Sequence, residues 1–178
     1  MTKYLYYPES LQYAGEAADD VTIPYCLTIA PPSNSSADSI IVADVENNAW
    51  IVRPLNSSEI ATAQAGQIAL LVSAYDLAKQ QAVSYTSAGG ITKMYQADKK
   101  SVENLEAMLW TFQLAGATQP GFYWVAADNT QVPFTYGDMQ GLAFAFGAQG
   151  ALAFQHLQTK KAAVNAATSL SAIQAITW

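Results

Sequence analysis

Residues 57–82, SSEIATAQAGQIALLVSAYDLAKQQA, separate two parts of the chain with different sequence character. Ser57 or Ser58 offers a helix N-cap, and Glu59 follows in the first turn. Apolar or small residues then recur three and four positions apart, with one polar interruption: Ala61, Gln64, Ile68, Leu71, Tyr75, Ala78 and Ala82. This period predicts a long helix at about 58–82.

The stripe along this helix admits two interpretations. An amphipathic helix would pack the stripe against its own domain. A heptad-like stripe would instead let the helix self-associate as a coiled coil through Ile68, Leu71 and Tyr75, giving a homo-oligomer. The stripe is rich in alanine and therefore thin. Both interpretations remain open at this point.

Residues 1–56 have the composition of a small β-rich module. They contain five of the seven prolines, which remove backbone donors and interrupt helices. Short apolar pieces rich in β-branched and aromatic residues predict strands at Tyr4–Tyr7, Val21–Ile29, Ile40–Val45 and Ala49–Arg53. The last two are expected to form a hairpin around 46–48, where Asn47 and Asn48 tolerate a positive φ.

Residues 57–178 are expected to pack as one helical domain. Turn residues predict hairpins near 83–95 and 122–135. Helices are expected near 101–115, capped by Asp98 or Ser101, and near 137–167, capped by Gly137-Asp138, with a short helical turn at 169–177. The prediction is an α+β protein, with a β-rich module followed by three helices and two short hairpins.

The charge balance narrows the classes of partner. Fourteen acidic and eight basic side chains give a formal net charge of −6. Nucleic acid and anionic membrane surfaces are bound through Lys and Arg, so neither is expected as a partner. The N-terminal segment reaches Pro8 before any apolar core of a signal peptide could form, which predicts a protein that is not secreted.

No motif in the sequence predicts catalysis, a cofactor or a metal site. His156, the only histidine, falls in the middle of a predicted helix, and Cys26 is the only cysteine. Zinc sites need several such ligands. The acidic run at 44–48 lacks the glycine and the final glutamate of a calcium loop and is interpreted as a hairpin turn. We therefore expect a protein that is not an enzyme and carries no cofactor.

Aromatic side chains remain as the main candidates for recognition. Twenty Phe, Tyr and Trp residues are present, more than half of them outside the predicted helices. Aromatic residues anchor both cores and protein interfaces. The candidate partner-binding residues are Tyr4, Tyr6, Tyr7 and Trp50. For Trp50, which falls inside a predicted strand, a place in the core is the favoured interpretation, and for the three tyrosines both interpretations are open.

The order and spacing of the whole series resemble a known family. The pieces of the first third are Tyr6-Tyr-Pro-Glu9, Tyr13-Ala-Gly-Glu16, Pro31-Pro32, Ile40-Ile-Val-Ala-Asp44 and Trp50-Ile-Val-Arg-Pro54. Together they resemble the N-terminal segment of tailed-bacteriophage tail-fibre assembly proteins. The remainder resembles an uncharacterised helical C-terminal domain of phage tail proteins, through Met94-Tyr-Gln-Ala-Asp98, Phe122-Tyr-Trp124, Val132-Pro-Phe134 and Ile176-Thr-Trp178.

The resemblance implies an assembly chaperone that binds the C-terminal region of a trimeric phage tail fibre. It would act in the host cytoplasm during phage assembly. The alternative implied by the same resemblance is a structural tail-fibre or baseplate component, retained on the virion tail and involved in recognising a host surface glycan. No partner-contacting residue can be transferred by position from the family.

Overall fold

The computed structural model describes residues 2–18, 24–33, 36 and 38–178. The strands are β1 (Lys3–Tyr6), β2 (Tyr13–Ala17), β3 (Cys26–Leu27), β4 (Ser39–Asp44), β5 (Ala49–Pro54), β6 (Val83–Thr86), β7 (Thr92–Tyr95), β8 (Tyr123–Val125) and β9 (Gln131–Pro133). The helices are α1 (Ser57–Ala78), α2 (Lys99–Gln113), α3 (Tyr136–Ala166) and α4 (Leu170–Gln174). Because small antiparallel sheets alternate with helices, the fold class is α+β, as the sequence predicts.

The chain divides into two compact units. The first comprises Met1–Gln67 and Val164–Ile176, and the second comprises Ile68–Ala163 and Thr177–Trp178. The first unit thus extends past the boundary at residue 56 that the composition indicated. Two side chains explain the extension: Gln64 Nε2 donates to the carbonyl of Ala167 at 3.0 Å, and Gln67 Nε2 donates to the carbonyl of Ile176 at 2.8 Å.

The strands of the first unit form a three-stranded sheet, in the order β2-β1-β3, and the β4-β5 hairpin. The predicted hairpin forms, with Ala43 opposite Trp50, and Asn48 adopts the positive φ of 46° that its turn requires. Residues 21–23 of the predicted strand Val21–Ile29 lie outside the described residues, and within residues 24–29 the strand is β3.

The start of α1 is held by the carboxylate of Glu59, which also binds a side chain of β5 and one just before β2. Asn56 Oδ1 accepts from the Glu59 amide at 2.9 Å, and Glu59 Oε2 accepts from the Asn56 amide at 2.7 Å, which is a capping box. The N-cap is therefore Asn56, and the prediction of Ser57 or Ser58 is wrong, because the reciprocal bond to Glu59 requires a three-residue spacing. Arg53 forms a two-point ion pair with Glu59, at 2.9 Å in both bonds, and Gln12 Nε2 donates to it at 3.0 Å.

The second unit encloses a core of aromatic and aliphatic side chains. Its buried members are Tyr95, Ala97, Leu105, Phe112, Ala126, Val132, Phe134, Met139, Leu142 and Phe146. They come from β7, the β9 hairpin, α2 and α3, so each amphipathic element contributes its apolar face. Leu105 and Phe112 belong to the face of α2 that the sequence marks at helical spacing.

Hydrogen bonds from capping residues and from a neighbouring side chain mark the ends of the helices in this unit. Asp98, one of the two predicted caps, is the N-cap of α2 and accepts from the amides of Lys100 and Ser101, so the helix begins at Lys99 rather than near residue 101. Gly116, at a φ of 64°, donates to the carbonyl of Phe112 and closes that helix. α1 ends at Ala78 rather than at the predicted residue 82, because Gln149 Nε2 donates to the carbonyls of Ala78, Lys79 and Gln81.

The buried carboxylate of Asp138 joins the β6-β7 turn to the start of α3. It accepts from the Thr135 amide at 2.8 Å, the Thr135 hydroxyl at 2.7 Å and the Ala88 amide at 2.6 Å. Thr135 Oγ1 in turn accepts from the Asp138 amide, so this is a second capping box. The prediction of Gly137-Asp138 as the cap is wrong, because α3 begins at Tyr136 and Thr135 precedes it. Burial raises the pKa of Asp138, but the hydrogen bonds from Thr135, Ala88 and Tyr85 outweigh burial and leave the pKa below its ordinary value.

Tyr85 packs directly on the backbone of α3 at Gly141. A Cβ atom at Gly141 would meet Tyr85 Oη and would lie 2.8 Å from two further ring atoms. The Tyr85 ring is held in place by the Tyr95 and Phe134 rings, whose centroids lie 6.4 and 5.9 Å away. A glycine is therefore required at this position by close approach, not by backbone conformation.

We expect Gly141→Ala to destabilise the protein by about 1–3 kcal/mol, because overpacking against a fixed ring exceeds the gain in helix propensity. Gly147→Ala is the matched control on the same helix, since nothing lies within 4 Å of its added Cβ. It should stabilise α3 by up to about 1 kcal/mol. Urea unfolding measures both. Equal changes in the two variants would contradict the close contact.

We expect Glu59→Gln to lower the free energy of unfolding by about 1–3 kcal/mol at neutral pH, because it removes the charge-assisted pair with Arg53 and weakens the cap. Hydrogen bonds led by that of Arg53 lower the pKa of Glu59 from 4.5 to about 2. Its stabilisation should therefore be complete above pH 4.5 and disappear as the pH falls through 2.

The difference between wild type and Glu59→Gln should therefore shrink on acidification, measured by urea unfolding at a series of pH values. Glu46→Gln is the control, because Glu46 is an exposed acid in the β4-β5 turn. A difference between wild type and Glu59→Gln that stayed constant from pH 7 to pH 2.5 would argue against the lowered pKa.

Candidate functional site

The predicted partner-binding residues of the first unit separate into core and surface. Tyr6 is buried with Leu27 and Ala43, and Trp50 packs against the same cluster. The Trp50 indole also donates to the carbonyl of Ile29 at 2.7 Å. Tyr6 is therefore a core residue, which corrects that part of the prediction. Trp50 has a structural role but is only half-buried, so its contact with a partner stays a prediction.

The other two tyrosines keep some accessible surface. Tyr4 is half-buried in the central strand β1, and Tyr7, just beyond that strand, is 58% exposed. Their contact with a partner stays a prediction. The sequence could not separate the three tyrosines, because the alternation that turns Tyr6 inward depends on which face of β1 the sheet covers.

The side chains of the predicted self-association stripe on α1 are largely packed against other residues of the same chain. Leu71 is only 1% exposed, and the Tyr75 ring packs edge-on against Phe154 with centroids 6.4 Å apart. Ile68 is half-buried. The amphipathic interpretation therefore holds for Leu71 and Tyr75. The large side chains that α1 exposes are Leu70 and Leu77.

The remaining chemical candidates have ordinary structural surroundings. His156 packs edge-on against the Trp178 ring, with centroids 4.8 Å apart. The acidic run at 44–48 forms a turn in which Asp44 accepts from the amide and the side chain of Asn47. Among the described residues, no group of three or more His, Cys, Asp or Glu is placed to hold a metal ion. No helix of the described chain is long and apolar enough to cross a membrane.

The most exposed large apolar side chains of the second unit lie on α2, at its C-terminal end, and on α3. Leu114 follows α2 and is 99% exposed, Phe144 on α3 is 80% exposed, and Trp110 on α2 is 77% exposed. Single exposed apolar residues are normal, but a group of them in one unit is a candidate interaction surface, and Trp110 and Leu114, four positions apart, lie on one side of the end of α2. We name Trp110, Leu114 and Phe144 the apolar surface.

A groove runs between α2 and α3 beside Trp110. It has a volume of about 750 Å³ and is open to solvent. α2 contributes Glu103, Glu106 and Trp110, and α3 contributes Tyr136, Gln140 and Ala143, among others. We name it the α2–α3 groove. Because Glu106 and Trp110 are four residues apart on α2, their side chains share one face of the helix.

A second depression continues the α2–α3 groove toward the start of α2. It holds about 440 Å³ and shares Glu103, Glu106 and Ala143 with the α2–α3 groove. Gly147 and Gly150 lie in it, and an added Cβ at either would have nothing within 4 Å. The two depressions therefore form one channel along the seam between α2 and α3.

Two acidic side chains, Glu103 and Glu106, line the middle of this channel, and two lysines, Lys79 and Lys99, line its far end. Glu103 is paired only loosely, at 3.8 Å, with Lys99, and both side chains are more than half exposed. Glu106 forms no ion pair with any residue in the part of the chain that the structure describes. Like charges three positions apart on one helix repel weakly, so a cation bound between Glu103 and Glu106 would relieve that repulsion.

The sequence contained a signal for this site. The apolar face of α2 is marked by Leu105, Met108, Leu109 and Phe112, and Trp110 and Leu114 fall away from it. A tryptophan off the apolar face of an amphipathic helix indicates a surface that needs another explanation. The groove itself could not be read from the sequence, because α3 supplies its second wall.

The fold and the candidate site are those of an α+β protein. Its described surface has an apolar and acidic groove between two helices. Residues 62–177 match the model of the family described as Domain of unknown function (DUF4376), and the chain belongs to that family. Comparison with curated proteins and with solved structures found no match.

We expect Leu71→Ala to lower the free energy of unfolding by about 2–5 kcal/mol, because it leaves a cavity at a buried position. Leu70→Ala, one position away and 65% exposed, should change it by no more than about 0.5 kcal/mol. Urea unfolding at low protein concentration measures both variants. If Leu71→Ala instead dissociated an oligomer in sedimentation experiments and left unfolding unchanged, Leu71 would belong to a coiled-coil interface.

Proposed function

We propose that this protein is a tail-fibre assembly chaperone of a tailed bacteriophage, binding the C-terminal region of the trimeric fibre. The apolar surface formed by Trp110, Leu114 and Phe144 is the observation that carries the protein-binding part of the proposal. The phage part comes from the resemblance of the sequence to tail-fibre assembly proteins. The proposed partner is therefore a polypeptide and the proposed action is transient masking.

The size of the apolar surface favours reversible binding. Fully burying a large apolar side chain contributes about 1.5–3 kcal/mol, so the three residues together would contribute roughly 5–9 kcal/mol. Association itself costs about 4–15 kcal/mol in lost freedom. The two ranges overlap, so burial of the apolar surface is roughly balanced by the cost of association, and polar contacts must supply the net affinity. Such a balance suits a chaperone, which must release the fibre once its subunits have trimerised.

The β4-β5 hairpin of the first unit supports the same function. Within the described part of the chain, no strand pairs with the outer edge of β5. Ile51 and Val52 in this strand are exposed. An open strand edge with apolar side chains can pair with a strand of another polypeptide. Fibre subunits that fold slowly through long-range strand pairing expose such edges before they trimerise.

A second function is favoured by the polar residues around Trp110. Gln113 and Gln140 line the α2–α3 groove beside the exposed indole ring. An exposed ring next to amide side chains is suited to stacking on a sugar and hydrogen-bonding its hydroxyls. This arrangement supports the alternative of a virion component that recognises a host surface glycan.

Co-expression with the fibre of the same phage tests the proposed function. We expect the yield of soluble, trimeric fibre to fall several-fold without this protein and with the Trp110→Ala/Leu114→Ser variant. Leu152→Ala is the control, because Leu152 is an exposed apolar residue of α3 outside the apolar surface.

Mass spectrometry of purified phage particles completes the experiment. A chaperone should be absent from them. Equal fibre yields with and without the protein would remove the chaperone function, and stoichiometric amounts in the particle would favour the virion component.

A further inference from the structure

We infer that the α2–α3 groove binds a segment of the partner polypeptide in which an arginine flanks a large apolar side chain. This inference rests on the proposed function only in taking the ligand to be a polypeptide. It adds the chemistry of the segment and the residues that recognise it: Glu106 and Trp110 for the arginine, and the groove between Trp110 and Tyr136 for the apolar side chain.

The charge of the groove selects a basic segment. The α2–α3 groove is lined by two carboxylates, Glu103 and Glu106, and by no Lys, Arg or His. The nearest base along α2 is Lys99, which pairs with Glu103 at 3.8 Å. A cation entering the groove would therefore approach two carboxylates, of which only Glu103 is partly neutralised, by Lys99. Electrostatic complementarity of this kind sets partner choice and speeds encounter.

The spacing of Glu106 and Trp110 favours arginine over lysine. The two residues lie four positions apart on α2, so their side chains are neighbours on one helix face. A guanidinium group is planar: it can donate two hydrogen bonds to a carboxylate while stacking on an indole ring. An ammonium group is a compact charge that cannot make both contacts with the same geometry.

The rest of the groove is suited to an apolar side chain. Leu109 and Ala107 from α2 and Tyr136 and Ala143 from α3 supply apolar walls. The length also fits a peptide: α2 has 15 residues, which is about 22 Å at 1.5 Å per residue. A partner helix of similar length could therefore lie along the channel with one face buried and its arginine beside Glu106, because Lys79 and Lys99 line the other end of the channel.

A second copy of this chain fits the groove poorly. Each copy carries a net charge of −6, and a symmetric contact through this face would bring two pairs of Glu103 and Glu106 together. Like charges brought together in an interface oppose binding.

Selection of 15-residue peptides from a display library on the purified full-length chain tests the inference. We expect the enriched sequences to share an arginine next to Leu, Ile, Phe, Met or Trp. The best peptide is then synthesised with arginine, lysine or citrulline at that position, and the dissociation constant of each is measured by fluorescence anisotropy. Citrulline keeps the shape of arginine and removes its charge.

The expected loss of affinity is about tenfold or more for citrulline and smaller for lysine, with binding weakening as salt is added. Glu106→Gln and Trp110→Ala should each weaken the arginine peptide by about tenfold. Two controls should stay within about twofold: Glu46→Gln, an exposed acid in another unit, and Leu152→Ala, an exposed apolar residue of α3.

Several results would overturn the inference. In the selection, these are no enrichment of any peptide or enriched peptides without a basic residue. In the affinity measurements, it is an affinity that neither groove variant changes. Binding of a glycan, but of no peptide, that is lost in Trp110→Ala would also overturn it, as would a dimer that Trp110→Ala dissociates. Fibre yield is a separate measurement. If Trp110→Ala lowered the fibre yield but no arginine-containing peptide were selected, the proposed function would stand and the preference for arginine would be rejected. If such peptides were selected but the fibre yield did not change, only the proposed function would be rejected.

Discussion

The buried carboxylate of Asp138 is the interaction on which the second unit depends. It completes the capping box with Thr135 at the start of α3 and also binds the Ala88 amide in the β6-β7 turn. A buried charge is costly unless hydrogen bonds satisfy it, so its position fixes the turn and the helix relative to each other. The same hairpin carries Tyr85, whose ring rests on Gly141 one turn further along α3.

Glu59 uses the same physical principle in the first unit. It completes a capping box with Asn56 and then binds Arg53 on β5 and Gln12 near the start of β2. In both units the carboxylate lies three residues after the N-cap residue. Besides completing the capping box, it accepts further hydrogen bonds from a strand or a hairpin turn. Short hairpins are marginally stable alone, so attachment to a helix start supplies stability that two strands lack.

The candidate site follows from how the α2 helix is buried. Leu105 and Phe112 face the core, which leaves Glu106 and Trp110 on the side next to α3. Neither helix alone makes a groove. The small residues of α3 at Ala143 and Gly147 keep the seam open, and the carboxylates of α2 give it a charge. The protein binding that we propose for tail-fibre assembly would therefore depend on the pair of helices.

Local sequence determined the elements. The proline-rich beginning, the turn residues Asn48 and Gly116, the caps Asp98 and Ser169 and the helical period of α2 act within a few residues of each other. Local preference and hydrogen bonding therefore suffice to place these elements and the α+β class. The caps of α1 and α3 were misplaced. Asn56 competes with two serines at the start of α1 and Glu59 decides between them, and Thr135 caps α3 ahead of the predicted Gly137-Asp138.

The tertiary structure decided which side chains are available. Tyr6 and Tyr7 look equivalent in sequence, but sheet pairing buries the first and exposes the second. Leu71 and Leu70 differ in the same way on α1. Burial depends on contacts between residues distant in sequence, such as Gln64 with Ala167, and no local pattern encodes which face such a contact covers.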